Sequence, residues 1–255
     1  MGPLFTLLTD FGAGSGYPAQ LKAVLLGAHP EARLVDVSHE VPAFDVLAGA
    51  LLLEACAPWF PREAIHLAVV DPGVGTARRA LCVVDPAGRR LVGPDNGLLT
   101  PFLGAGARAF EIAPGTAVPA PRSATFHGRD LFAPAAAFLA GGAAERLGPS
   151  VEDPVRLAWP GAERRGGALV GVTLVADPFG NLVTSVREAD LAGAVIAEAR
   201  AGGERVRFVR TFGDGAPGEL VAYVGSGGRV ELAVREGSAA ARLGTRGVPV
   251  ELVLA

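Results

Sequence analysis

A change of rhythm near residue 150 constrains this chain more than any other feature. Through roughly the first 145 residues, apolar runs alternate with helical stretches. Leu4 to Thr9, Leu34 to Val37, Ile65 to Val70, Ala80 to Val84 and Arg90 to Val92 read as strands. Ala19 to Ala28, Val46 to Ala57 and Leu131 to Ala140 read as helices, with Asp45 able to cap the second. Such alternation predicts an α/β domain with a mostly parallel sheet. Glu152 to Gly167, rich in proline, glycine and arginine, then reads as a linker. Beyond it the runs Leu169 to Val175, Leu182 to Val186, Arg205 to Val209, Leu220 to Val224, Arg229 to Val234 and Val248 to Leu254 predict a smaller antiparallel β-barrel. The expected domains are therefore 1–155 and 156–255.

Composition removes several function classes. With 50% apolar residues among 255, the chain can build a substantial core. A net charge of −3 without a long run of one sign argues against binding to nucleic acid or a membrane surface. No segment approaches the ~20 apolar residues of a membrane span, and the N-terminus lacks a basic stretch before an apolar one. Cys56 and Cys82 both lie in apolar surroundings and read as reduced thiols, so a cytoplasmic protein is expected.

The chemistry concentrates where strands empty into loops. Ile65 to Val70 runs into Asp71-Pro72-Gly73-Val74-Gly75, the kind of carboxyl edge at which α/β sheets build sites. Arg78 comes seven positions after Asp71, and Phe126-His127-Gly128-Arg129-Asp130 places a titratable histidine in a similar loop. An acid, an arginine and a histidine can together hold and polarise one small nucleophile. Asp10, at the end of the first strand, suits either a ribose diol or the cap of the next helix. The loop after it spaces its glycines as Gly-x-Gly-x-Gly, which is not a dinucleotide fingerprint, and no P-loop occurs. The four histidines have no ligand spacing with one another or with the cysteines, so no metal is expected. Asp177-Pro178-Phe179-Gly180-Asn181 reads either as a turn or as an adenine-type contact, with a ring for a face and an amide for a base edge. Gly225-Ser226-Gly227-Gly228 reads as a hairpin turn.

Taken in order, Thr9-Asp10-Phe11-Gly12, Asp36-Val37-Ser38-His39, Val70-Asp71-Pro72-Gly73-Val74-Gly75, Gly93-Pro94-Asp95-Asn96-Gly97, Phe126-His127-Gly128-Arg129-Asp130 and Asp177-Pro178-Phe179-Gly180-Asn181 resemble the S-adenosyl-L-methionine hydroxide adenosyltransferases. These are S-adenosylmethionine hydrolases related to the fluorinase and chlorinase enzymes. The resemblance spans nearly the whole chain. It implies an N-terminal α/β domain joined to a C-terminal β-barrel, with hydrolysis of S-adenosylmethionine to adenosine and methionine. It implies no cofactor, and a homotrimer with the substrate held between neighbouring subunits. The hydrolases carry an Asp, Arg and His that map onto Asp71, Arg78 and His127, with Arg79 a competitor for the arginine role. In the halogenases tyrosines stand at the Asp and His positions, and a longer insertion comes before the segment matching Gly93 to Gly97, which favours water over halide here. By the same carry-over Asp10 would meet the ribose diol, and Asp177 and Ser226 the methionine amino and carboxylate groups. Phe179 and Asn181 would meet the adenine, with Phe126 also among the substrate contacts. Ser15 stands where members often have an acid, and Gly227 where the halogenases have an arginine. The competing readings are a nucleoside-binding sensor and a halogenase.

Overall fold

A computed structural model describes residues 2–255. The chain divides into two compact units, one running through Leu157 and the other from Ala158 to Ala255.

The first unit is α/β. Its elements are β1 (Leu4–Thr9), α1 (Tyr17–Ala28), β2 (Arg33–Ser38), α2 (Val46–Cys56), β3 (Ile65–Val69), β4 (Ala80–Val84), β5 (Arg90–Pro94), β6 (Arg108–Glu111) and α3 (Ala133–Leu139). The sheet order is β2-β1-β3-β5-β4-β6. β1 pairs in parallel with β2 and β3, and β3 with β5, whereas β4 runs antiparallel to β5 and β6. β3 is apolar along most of its length because it is covered on both faces, as parallel strands require. One face packs Phe5, Leu7, Ile65 and Leu67 against Leu21 and Leu25 of α1 and the alanines of α3. On α2, Gly49 meets Val70 and Leu98, 2.9 and 3.0 Å from where its β-carbon would stand, so a side chain there would push the helix outward. Parallel pairing of Thr9 with Val69 puts the residues after both strands, Asp10 and Asp71, on one carboxyl edge of the sheet.

The second unit is a closed barrel. It holds β7 (Glu163–Arg165), β8 (Ala168–Ala176), β9 (Leu182–Arg187), α4 (Glu188–Leu191), β10 (Ile196–Ala201), β11 (Glu204–Phe208), β12 (Leu220–Val224), β13 (Arg229–Val234), α5 (Ala239–Leu243) and β14 (Pro249–Leu254). The order β14-β10-β11-β12-β13-β9-β8 closes through pairing of β8 with β14, and β7 adds to β8 outside the ring. All pairs are antiparallel except β11–β12. Leu169, Leu182, Leu220, Leu232 and Leu252 fill its interior.

Three local expectations need correction. The helix expected from Leu131 begins earlier, as a π-turn over Gly128–Phe132 that continues into α3. The stretch read as a linker is held down: Asp95 accepts the Val155 amide, Thr100 Oγ1 accepts the Leu157 amide, and Glu163–Arg165 pairs with β8. β6 and β10 were not expected at all. β10 carries buried Ala199 and Ala201 two positions apart, as a strand should, but alanine carries little strand signal.

Candidate active site

Asp71 is 8% exposed at the end of β3, and the loop after it folds back on itself. Thr76 donates its hydroxyl to the Gly73 carbonyl at 2.7 Å and accepts the Arg78 amide at 3.3 Å. Gly75 adopts φ +79°, and a β-carbon there would stand 2.9 Å from the Ala124 carbonyl oxygen. Gly73 leaves room for the Arg78 stem, whose Cγ lies 3.1 Å from the missing β-carbon position. The loop thereby returns Arg78 to Asp71.

Arg78 joins the other two groups. Its Nε donates to Asp71 Oδ1 at 2.9 Å and to Oδ2 at 3.1 Å, while Nη2 donates to Oδ2. The same Nη2 lies 3.0 Å from His127 Nδ1, and the guanidinium carbon sits 5.0 Å from the centre of the Phe132 ring. A guanidinium has only donors, so Nδ1 must accept and a neutral His127 carries its proton on Nε2. Burial first, and then the Arg78 charge, push the His127 pKa below the ordinary histidine value, against the pull of Asp71 and Asp130. Arg79 points elsewhere, to Asp95 at 2.7 Å and Asp153 at 2.8 Å. Geometry thus separates the two arginines that sequence spacing could not.

The histidine is aimed by the turn on its carboxyl side. His127 precedes the π-turn, a local widening of the helix that recurs at functional sites. Asp130 accepts the Ser123 amide at 2.8 Å and two bonds from Arg129, which also donates to Gln20 on α1 at 2.9 Å. Gly128 packs against Phe11 and Phe126, where a β-carbon would lie 3.1 and 3.2 Å from their rings. Phe126 meets Phe11 and Tyr17 edge-on, with centroids 5.8 and 5.0 Å apart.

Asp10 does not cap α1, whose N-cap is Gly16 with no side-chain bond. Its Oδ2 instead accepts the Phe44 amide at 2.9 Å. Phe44 has a positive φ of 64° and is 68% exposed, a costly conformation for an aromatic residue. Sequence reading did not single out Phe44, the ring directly before the helix cap Asp45. Tyr17, 52% exposed beside Phe126, was not singled out either.

In the barrel unit, Asp177 braces its own turn. Oδ1 accepts the Phe179 and Asn181 amides at 2.9 and 2.8 Å, and Oδ2 accepts Asn181 Nδ2 at 2.8 Å. Phe179 is 81% exposed. Ser226 lies in a separate turn, closed by the Gly225 amide donating to the Arg229 carbonyl at 2.9 Å. In the same unit Tyr223 donates to Glu231 at 3.1 Å, and burial, with a smaller push from Asp177, raises the Glu231 pKa. Neither residue carried a sequence signal of its own. The structure therefore bonds Asp71, Arg78 and His127 into one set, places Asp10 and Phe126 in the same unit, and keeps Asp177 and Asn181 in one barrel turn with Ser226 in another. Among the described residues, no three His, Cys, Asp or Glu side chains gather where they could hold a metal ion.

Comparison with known proteins bears on the whole chain. Residues 5–148 match the model of the SAM hydroxide adenosyltransferase N-terminal domain, and residues 171–249 that of the C-terminal domain. An (R)-S-adenosyl-L-methionine hydrolase of Thermus thermophilus is 44% identical, over 99% of this chain and 100% of its own. A fluorinase of an Actinoplanes species is more distant, 29% identical over 91% of this chain and 90% of its own. The crystal structure of an uncharacterized conserved protein from Thermotoga maritima superposes with a TM-score of 0.88 at 32% identity, covering 97% of this chain and 99% of that one. With both domain models matched and a hydrolase aligned end to end, the chain belongs to the SAM hydroxide adenosyltransferase family.

Proposed function

We propose that this protein hydrolyses S-adenosyl-L-methionine to adenosine and L-methionine by attack of water on C5′. The observation that carries the reading is the continuous Asp71–Arg78–His127 hydrogen-bonded set at the carboxyl edge of the sheet. In the step, a water oxygen forms a bond to C5′ while the C5′–S bond breaks. Its electron pair returns the sulfonium to a neutral thioether, and the water gives up a proton. His127 offers Nε2–H to hold that oxygen, since Arg78 occupies Nδ1. Asp71 Oδ1, with one donor from Arg78, keeps a lone pair for the departing proton. Arg78 fixes both partners. The attack removes charge from the sulfonium, so a dry, fixed geometry favours it.

In this reading Asp10 accepts the ribose diol, Phe126 lines the site, Phe179 and Asn181 meet the adenine, and Asp177 and Ser226 hold the methionine end. No cofactor takes part, and the setting is cytoplasmic. The protein works as a homotrimer with the site between subunits. The exposure of Phe44 at 68% and Phe179 at 81% supports this, because rings meant for a ligand are otherwise open to solvent. Sedimentation at a mass near three chains, and loss of that species with loss of activity in a dissociated variant, is the expected outcome.

The test of function is product analysis with and without chloride. Adenosine and methionine in equal amounts, independent of chloride and lost in a folded Asp71→Asn variant, are expected. A 5′-chlorinated nucleoside would make the protein a halogenase, and binding without turnover would make it a sensor.

A further inference from the structure

A second set of polar side chains lies on the same sheet edge, with Thr9 and His39 buried and Asp36 exposed, and the proposed chemistry makes no use of it. Thr9, the last residue of β1, is wholly buried, and its Oγ1 stands 2.8 Å from His39 Nδ1. The Phe11 amide donates to the same oxygen at 3.2 Å. His39 is 6% exposed, and its Nε2 lies 3.1 Å from Asp36 Oδ1, whose other oxygen holds Lys22 at 2.6 Å. A hydroxyl has one proton and two lone pairs. The Phe11 amide takes one lone pair, one proton joins Thr9 Oγ1 to Nδ1 whichever of the two carries it, and Nε2 meets Asp36 at ion-pair distance without hydrogen-bond geometry. The arrangement has the order of a nucleophile, base and acid. Thr9 is nevertheless sealed from any ligand, so the set can only hold something in place.

What it holds is the Asp10 loop. The Gly12 amide donates to the His39 carbonyl at 2.7 Å, and the Phe44 amide to Asp10 Oδ2 at 2.9 Å. Asp10 therefore sits between two stapled residues, Thr9 and Phe11. The Phe11 ring rests on Phe126, next to His127, with centroids 5.8 Å apart. One buried imidazole thus braces both the carboxylate and the ring beside the histidine.

We infer that His39 is a positioning residue which, through Thr9, fixes Asp10 against the ribose diol and so sets C5′ before the water held by Asp71, Arg78 and His127. This rests on the hydrolase reading for its substrate. The test compares Thr9→Val, which keeps shape but removes the hydroxyl, with Thr9→Ser, which keeps it, and with His39→Ala. Affinities for adenosine and 2′-deoxyadenosine are measured by calorimetry, beside kcat and KM for S-adenosylmethionine and the melting temperature. Thr9→Val and His39→Ala should weaken adenosine about tenfold, the scale of one hydrogen bond to a charged group, and leave 2′-deoxyadenosine nearly unchanged. Thr9→Ser should stay close to wild type on both. Equal losses on the two nucleosides, a wild type indifferent to the 2′-hydroxyl, or a Thr9→Ser as impaired as Thr9→Val would overturn the inference. Absence of turnover in the wild type would remove the hydrolase reading instead, while the nucleoside pair would still report on Asp10.

Discussion

At the scale of single residues, Arg78 joins the proposed site, because its Nη2 is shared between Asp71 and His127. A lysine offers a single ammonium and cannot reproduce that fork. Arg78→Lys is expected to lower kcat/KM by about a hundredfold, the cost of a misplaced reacting group. Asp71→Asn keeps the packing but removes the carboxylate that takes the proton in the proposed step, and should lower kcat by about two to four orders of magnitude. His127 gives a readout that does not need turnover. Its pKa is lowered by burial and then by the Arg78 charge, so the neutral ring persists to lower pH than a free imidazole. A midpoint below the ordinary value of about 6.5 is expected from its ring resonances in nuclear magnetic resonance, rising in Arg78→Gln, where Asp71 and Asp130 pull without the opposing charge. An unchanged midpoint in that variant would mean that Arg78 does not sense the ring.

At the scale of elements, the loop between β3 and β4 and the strand before it carry separate predictions. Gly75 combines φ +79° with a carbonyl 2.9 Å from the β-carbon position. Gly75→Ala should therefore cost about 1–3 kcal/mol in denaturant unfolding, and more in activity than in stability, because the loop delivers Arg78. His66 sits wholly buried in β3, bonded to Thr6 Oγ1 at 2.8 Å, and burial lowers its pKa to about 4. Between pH ~6.5 and that value, only the unfolded chain takes up the proton, so stability falls as pH drops through this window and levels off below it. The loss should total about 3 kcal/mol and should shrink in His66→Gln, as read from unfolding midpoints across pH.

At the scale of the whole molecule, the main outline is legible in the sequence for physical reasons. Ile65 to Val69 reads as a buried strand because both its faces are largely apolar, and the turn from Val70 into Asp71-Pro72-Gly73 marks its end. The barrel strands Leu220–Val224 and Arg229–Val234 read correctly because runs rich in valine and leucine flank a glycine turn. Ile196–Ala201 did not read as a strand, since alanine marks burial without marking conformation. The π-turn at Gly128 also escaped notice, because a widened helix keeps the same residue types as a regular one. In the site, order along the chain pointed to Asp71, Arg78 and His127 with Arg79 a competitor, and spacing could not show that the two neighbouring arginines turn to different partners, Arg78 to Asp71 and Arg79 to Asp95. The central claim is that water attacks C5′ of S-adenosylmethionine, and heavy-oxygen water tests it most directly. Adenosine formed in such water, resolved by mass, should carry one heavy oxygen at its 5′ position with methionine unlabelled. Adenosine without the label would contradict the account.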